Sequence, residues 1–187
     1  MRIVGGKFRG RAITSPEHEG LRPTSDRVRE SVFNILLHGI EDFEIDAIRV
    51  IDLFAGTGAL GLEAVSRGAS YCLFVEDGAE SRGLIRQNVE AFGLTGNTRL
   101  FRRDATDLGP AAPMQPFSLA FLDPPYGKSL GERALLSLRD GKWLNPGAIV
   151  VWEERAASDL PWPDGFTEID RRTWGETQVG FARYQPD

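Results

Sequence analysis

From residue 48 onward, apolar runs and amphipathic stretches take turns along the chain. Runs at 49–54, 71–76, 98–102, 117–123, 148–153, 167–172 and 178–184 have the length and β-branched or aromatic character of strands. Segments near 58–67, 78–92 and 129–139 read as helices. Such alternation predicts a mostly parallel sheet covered on both faces. The last two strands have only Thr173-Trp174-Gly175-Glu176 between them, so they predict an antiparallel hairpin. Ahead of the alternation, Arg2-Ile3-Val4 and Arg11-Ala12-Ile13, joined through Gly5-Gly6 and Gly10, read as a hairpin-like pair. A loop at 15–24, rich in Pro, Gly and charge, follows. Val28, Val32, Ile35 and Leu36 then fall on one face and predict a helix over 26–38 ending near Gly39. Thr24, Ser25 and Asp26 are its N-cap candidates, with Glu30 placed to reach back.

A parallel sheet that finishes in a reversed strand is the outline of the Rossmann-like class I S-adenosylmethionine (SAM) methyltransferases. The expected fold is therefore α/β: a seven-stranded, mostly parallel sheet with an antiparallel last strand, plus a small N-terminal hairpin and helix extension. The extension takes residues 1–40 and the methyltransferase domain 41–187. The length of 187 residues suits one such domain with a full core.

Composition narrows the partners. No run of about 18 apolar residues suggests a membrane span, and the N-terminus lacks an apolar signal core. The single Cys72 excludes an internal disulfide and, within an apolar run, reads as a buried thiol in a reducing cytoplasm. Neither His18 nor His38 has a metal-ligand pattern around it, so no metal site is expected. The net charge is −5, but it is uneven: Arg2, Lys7, Arg9 and Arg11 fall within the first sixteen residues, which hold no acid, and Arg22, Arg27 and Arg29 follow. An acidic body with a basic N-terminal arm fits a small-molecule site beside an anion-contacting surface.

Two stretches carry candidate chemistry. Leu122-Asp123-Pro124-Pro125-Tyr126-Gly127 ends an apolar strand, where two prolines force a rigid, extended corner. Open α/β sheets place ligands at such strand ends. One carboxylate, fixed carbonyls and an aromatic plate suit a planar substrate with an NH2 group. The other stretch, Asp52-Leu53-Phe54-Ala55-Gly56-Thr57-Gly58-Ala59-Leu60-Gly61, turns from strand to helix through glycines that let a ligand approach the backbone. Gly56, Gly58 and Gly61 also match a dinucleotide fingerprint, so NAD is an alternative. Asp52, four residues before Gly56, would crowd a pyrophosphate and suits an ammonium, which favours SAM. Glu76 ends the next strand twenty residues after Gly56, in place for a ribose diol. Asp104, in Arg103-Asp104-Ala105, could accept an adenine amino group. Asp77 reads as a helix cap whose backbone touches the adenosine. The candidate cofactor-binding set is Asp52, Ala55, Gly56, Thr57, Gly58, Glu76, Asp77, Asp104 and Ala105. Trp143, Trp152 and Trp162 read as packing, and Trp174 has a hairpin position open to surface contact.

Together these residues resemble the small-subunit ribosomal RNA guanine-N2 methyltransferases of the bacterial RsmD type. The match covers nearly the whole chain: Arg2-Ile-Val-Gly-Gly-Lys-Phe-Arg-Gly-Arg11, Leu21-Arg-Pro-Thr-Ser-Asp-Arg-Val-Arg-Glu30, the Asp52 loop, Asp123-Pro-Pro-Tyr126 and Gly175-Glu-Thr177. Trp174 departs from the tyrosine that family prefers. The resemblance implies direct methyl transfer from SAM to guanine N2 in 16S ribosomal RNA, with Asp123, Pro124 and Tyr126 as catalytic residues. It also implies RNA contacts from Arg2, Lys7, Arg9, Arg11, Arg22, Arg27 and Arg29, with the small ribosomal subunit or its assembly intermediate as partner. Asp-Pro-Pro-Tyr is shared with adenine-N6 methyltransferases of DNA or RNA, which are one alternative. A non-catalytic RNA-binding protein that retains SAM is another, and an intact Asp-Pro-Pro-Tyr speaks against it.

Overall fold

A computed structural model describes residues 1–16 and 25–187. Seven strands form one sheet: β1 (Arg49–Leu53), β2 (Tyr71–Val75), β3 (Thr98–Phe101), β4 (Phe117–Leu122), β5 (Leu144–Arg155), β6 (Phe166–Trp174) and β7 (Thr177–Tyr184). Their order is β3-β2-β1-β4-β5-β7-β6. Strands β1 to β5 pair in parallel, and β7 alone runs against both its neighbours. This is the Rossmann-like class I methyltransferase arrangement that the strand–helix alternation predicts.

Because the central strands are apolar on both faces, helices cover both. Helices α1 (Asp26–His38), α2 (Ala59–Ser66) and α3 (Ala79–Ala91) share one face, in a core built around Phe33, Leu62, Ile85 and Phe121. Helix α4 (Leu130–Asp140) and the 105–114 segment cover the other, over Leu53, Ala120, Leu122 and Trp152. Cys72 is buried between the first group of helices and the sheet.

Strand β5 is longer than the apolar run predicts, starting at Leu144 although Asn145-Pro146-Gly147 reads as a turn. An irregularity between Phe117 and Leu119 in its partner absorbs the break, and Gly147 takes a φ of 85°. The β6–β7 connection is shorter than expected, only Gly175 and Glu176, because both strands run further.

The expected N-terminal hairpin is narrow, with one antiparallel bridge, Arg2 to Ala12, flanked by Ile3 N–H to Arg11 carbonyl at 2.9 Å. What holds this arm is α2. Glu63 of α2 is fully buried, and its carboxylate accepts from the Val4 and Gly5 amides at 3.0 Å each. The Ser66 hydroxyl donates to the Gly5 carbonyl and accepts from the Phe8 amide. Gly6 is required here: with φ at 78°, a Cβ on it would lie 2.0 Å from the Ser66 carbonyl oxygen. Ile3 and Ile13 thereby join the same core as α1 and α2.

Helix α1 is capped by Ser25, whose hydroxyl accepts from the Val28 amide. Its buried stripe is Arg29, Val32, Phe33 and Leu36, with Val28 and Ile35 at the margins. Asp26 accepts from the Arg2 amide and from Arg29 rather than capping the helix. Among the described residues, no helix is long and apolar enough to cross a membrane.

Candidate active site

Strands β1 and β4 lie side by side at the centre of the sheet, where the strand order reverses. At such a point the connections leave toward opposite faces and open a crevice outside the strands' C-terminal ends. Both candidate stretches lead out of that edge. After β1, Phe54, Gly56 and Gly58 all take positive φ (54°, 60° and 83°), which coils the loop tightly into α2. Ala55 is held by the Val75 carbonyl, and the Gly58 amide donates back to Ala55. Thr57 is buried, and its hydroxyl accepts from the Ala59 amide.

Asp52 is only 1% exposed and accepts from the Gly61 amide at 3.0 Å. Burial pushes its carboxyl well above the usual carboxylate range, and nearby Glu76 adds to the rise while the Gly61 bond opposes it. Glu76 bridges the loop and the next turn: one oxygen accepts from the Gly56 amide and the other from the Gly78 amide, each at 2.9 Å. Each of those oxygens keeps a second lone pair for a hydroxyl. Asp104 lies beyond β3, exposed, accepting from the amide and hydroxyl of Thr106. Those bonds hold its carboxyl below the ordinary value, so it stays ionised and acceptor-only. Ala105 is buried against the core beside it. Asp77 is exposed and is not the cap of α3, since that position falls on Gly78. Its carbonyl accepts from Arg82.

The Asp123 corner follows β4 directly, with Asp123 half-buried, Pro124 buried and Tyr126 half-buried. Tyr126 is braced on two sides. Its hydroxyl lies beside the Thr177 side chain, and the Arg155 guanidinium stands 5.3 Å from its ring centroid. Burial first, then the charges of Glu153 and Asp123, raise its hydroxyl pKa. The ring is therefore a fixed, neutral plate beside two carboxylates.

The family model described as Conserved hypothetical protein 95 matches residues 1–183. Ribosomal RNA small subunit methyltransferase D of Escherichia coli K12 is 40% identical over 186 residues, 99% of this chain and 89% of its own. The protein of the same name from Haemophilus influenzae is 33% identical over 187 residues, 99% of this chain and 93% of its own. The chain belongs to the ribosomal RNA small subunit methyltransferase D family. In three dimensions it matches the solved structure of Escherichia coli yhhF, with a TM-score of 0.83 and 32% identity over 99% of this chain and 98% of that one.

In this methyltransferase D family member the six described cations of the arm and first helix do not share one environment. Arg9 and Arg27 are exposed. The Lys7 ammonium stands over the Phe8 ring, and Arg2 donates to the Gly10 carbonyl at 2.6 Å. Arg11 reaches the Ala91 carbonyl and stacks its guanidinium 4.6 Å from the Phe92 ring centroid. Arg22 lies outside the described residues, as do Leu21, Pro23 and Thr24. Arg29 overturns its expected role as an RNA contact. It is fully buried, paired with Glu63 at 3.0 Å and Asp26 at 2.8 Å, and also bonded to the Arg2 carbonyl. It braces the arm instead.

Three features escape the sequence reading. Asn88 of α3 is buried and donates to the Thr57 carbonyl at 3.0 Å and the Thr14 carbonyl at 3.1 Å, while accepting from the Thr14 amide. It ties the glycine loop to the end of the arm. Its signal was a polar residue on the helix face that buries Ser81 and Ile85. Arg155 and Thr177, paired across β5 and β7, brace Tyr126. Thr177 carried a family resemblance but no assigned role, and Arg155 only a place after two acids.

Proposed function

We propose that this chain transfers a methyl group from SAM to the exocyclic N2 of a guanine in small-subunit ribosomal RNA. The observation that carries the reading is the adjacency of two sites on neighbouring strand ends. An acid-and-glycine cradle follows β1, and a carboxylate–proline–tyrosine corner follows β4. The names of the 40% and 33% identical relatives support the substrate class.

The residues of the cradle fit SAM. Asp52, anionic when an ammonium sits beside it, suits the methionine end, and the spare lone pairs of Glu76 suit a ribose diol. Asp104 suits the adenine amino group, with Ala105 and the Asp77 backbone alongside. Ala55, Gly56, Thr57 and Gly58 give the close backbone approach. When bound, SAM supplies an electrophilic sulfonium methyl, which leaves its sulfur for guanine N2 and leaves S-adenosylhomocysteine behind. Guanine N2 is a poor nucleophile because its lone pair is conjugated into the ring. The Asp123 carboxylate and the Pro124 carbonyl accept its two hydrogens and turn the lone pair toward the methyl. Tyr126 stacks on the base, which has left its own stack. As the N2–C bond forms, the nitrogen becomes cationic, and Asp123 takes the proton that it loses. Rate enhancement comes from positioning and from a carboxylate already in place for the developing positive charge.

Residues 1–40 serve in this reading as the RNA-contacting extension of the 41–187 methyltransferase unit. Labelled methyl transfer to small ribosomal subunits from a strain lacking the protein tests the function. Incorporation at guanine N2 is expected. Faster transfer to DNA than to ribosomal subunits or their RNA would favour adenine-N6 chemistry instead.

A further inference from the structure

Glu153 stands beside Asp123. Strands β4 and β5 are parallel with Leu122 opposite Trp152, so the next positions, Asp123 and Glu153, are neighbours about 5 Å apart across the sheet. Side chains alternate along a strand. Phe121 and Val151, two residues earlier, both face α1 and α2, where Phe121 meets Phe33 at 5.6 Å between ring centroids. Glu153 therefore points to that same face, and Asp123 stands one residue beyond the end of the adjoining β4. Val179, opposite Glu153 on β7, is buried in the same core, and Thr177, opposite Arg155, holds Tyr126 from the same side. Glu153 is 8% exposed, and its charge and that of Asp123 both reach the Tyr126 hydroxyl, so the two acids and the ring lie together.

We propose that Glu153 selects guanine by accepting the N1–H of the target base while Asp123 engages N2. The inference rests on the guanine-N2 reading and adds the residue that separates guanine from adenine. A carboxylate only accepts hydrogen bonds. Guanine offers N1–H and N2–H side by side, two donors for two neighbouring carboxylates. Adenine offers a donor at N6 beside a bare N1, whose lone pair would face the second carboxylate. An Asp-Pro-Pro-Tyr corner alone admits either base, and the second acid makes the pocket unfavourable to adenine.

The experiment uses small subunits reconstituted from ribosomal RNA with guanine or 2-aminopurine at the methylated position. 2-Aminopurine keeps the methyl-accepting amine but replaces N1–H with a lone pair. The wild type should prefer guanine in kcat/KM by about tenfold to a hundredfold, the usual worth of a hydrogen bond to a charged group. Glu153→Gln should bring that ratio close to one, because an amide can donate to the bare N1. The ratio is internal to each protein, so a smaller folded fraction cancels. Should the variant not fold, the wild type alone decides, since equal kcat/KM on the two bases overturns the role of Glu153. An unchanged ratio in Glu153→Gln overturns it as well. Absence of transfer to either RNA by the wild type would instead overturn the guanine-N2 reading, and the inference with it.

Discussion

A carboxylate buried to 1% exposure next to a second acid is a liability to the fold, and Asp52 is such a carboxylate. Its raised pKa means that the folded state prefers it protonated. The stability this gives is full below the ordinary aspartate value of 3.8 and is lost as pH rises through the raised folded value. Asp52→Asn should therefore melt higher than the wild type at neutral pH, with the difference vanishing near pH 3.5. It should also weaken SAM binding by about 1.5–3 kcal/mol, because the ammonium loses a charged partner. Scanning calorimetry against pH and titration calorimetry with SAM check the two halves. Asp123→Ala should behave differently, keeping SAM affinity and melting temperature while abolishing methyl transfer in the labelled assay. Glu76 and Asp123 were legible in the sequence because each terminates an apolar run, and Asp52 because it is an acid inside one, just ahead of the glycine loop; strand ends are where such folds bind. Glu153 also ends a run, yet Glu153-Glu154-Arg155 reads as a solvated charge ladder. Which of its members faces the pocket depends on the register with β4, a relation between residues about thirty positions apart that local pattern does not contain.

At the scale of elements, the arm and α2 behave as one piece. Four donors converge on the buried Glu63: the Val4 and Gly5 amides, the Arg29 guanidinium and, at 2.9 Å, the Arg67 guanidinium. Since α2 begins at the glycine loop, the segment expected to meet RNA is fastened to the helix expected to meet the cofactor. Glu63→Ala would take from the buried Arg29 its fully buried ion-pair partner, and removing one member of a buried pair costs about 3–5 kcal/mol. Urea unfolding should show that loss, whereas a change below about 1 kcal/mol would mean the arm is not held this way. The strands and helices were legible because their periods differ, two residues against 3.6. The latch was not. Arg29 interrupts an otherwise apolar stripe, and counting apolar positions alone leaves it outside the buried face. Its partner lies 34 residues away, so a cation near the N-terminus reads as surface charge. The length of β5 was hidden by Pro146 and Gly147, whose usual meaning is a turn.

For the whole molecule, the distribution of charge decides how RNA is held. The body is acidic and the first sixteen residues carry four cations and no acid, so in the proposed function phosphate contact is expected to concentrate in the arm. Burial of Arg29 withholds a cation that α1 would otherwise add to these four, and the stacking of Arg11 on Phe92 orients one of them without neutralising it. Phosphate contacts fix position without reading bases, so the proposal assigns base choice to the Asp123 corner. Each cation that meets a phosphate releases condensed counterions, so losing it lowers the slope of log affinity against log salt by about 0.7–0.9. Arg9→Ala combined with Arg11→Ala should therefore flatten the slope by about twice that amount, with SAM affinity unmoved. Arg29→Ala should destabilise the protein and leave the slope of the folded fraction as it was. A few cations on an acidic body hold RNA loosely, so an assembled small subunit, which adds shape and protein contacts, should be methylated faster than its extracted RNA. Filter binding across a salt series and initial rates on the two substrates measure both effects. An unchanged slope in the double variant would take the arm out of the interface, and equal rates would place all recognition within the RNA itself.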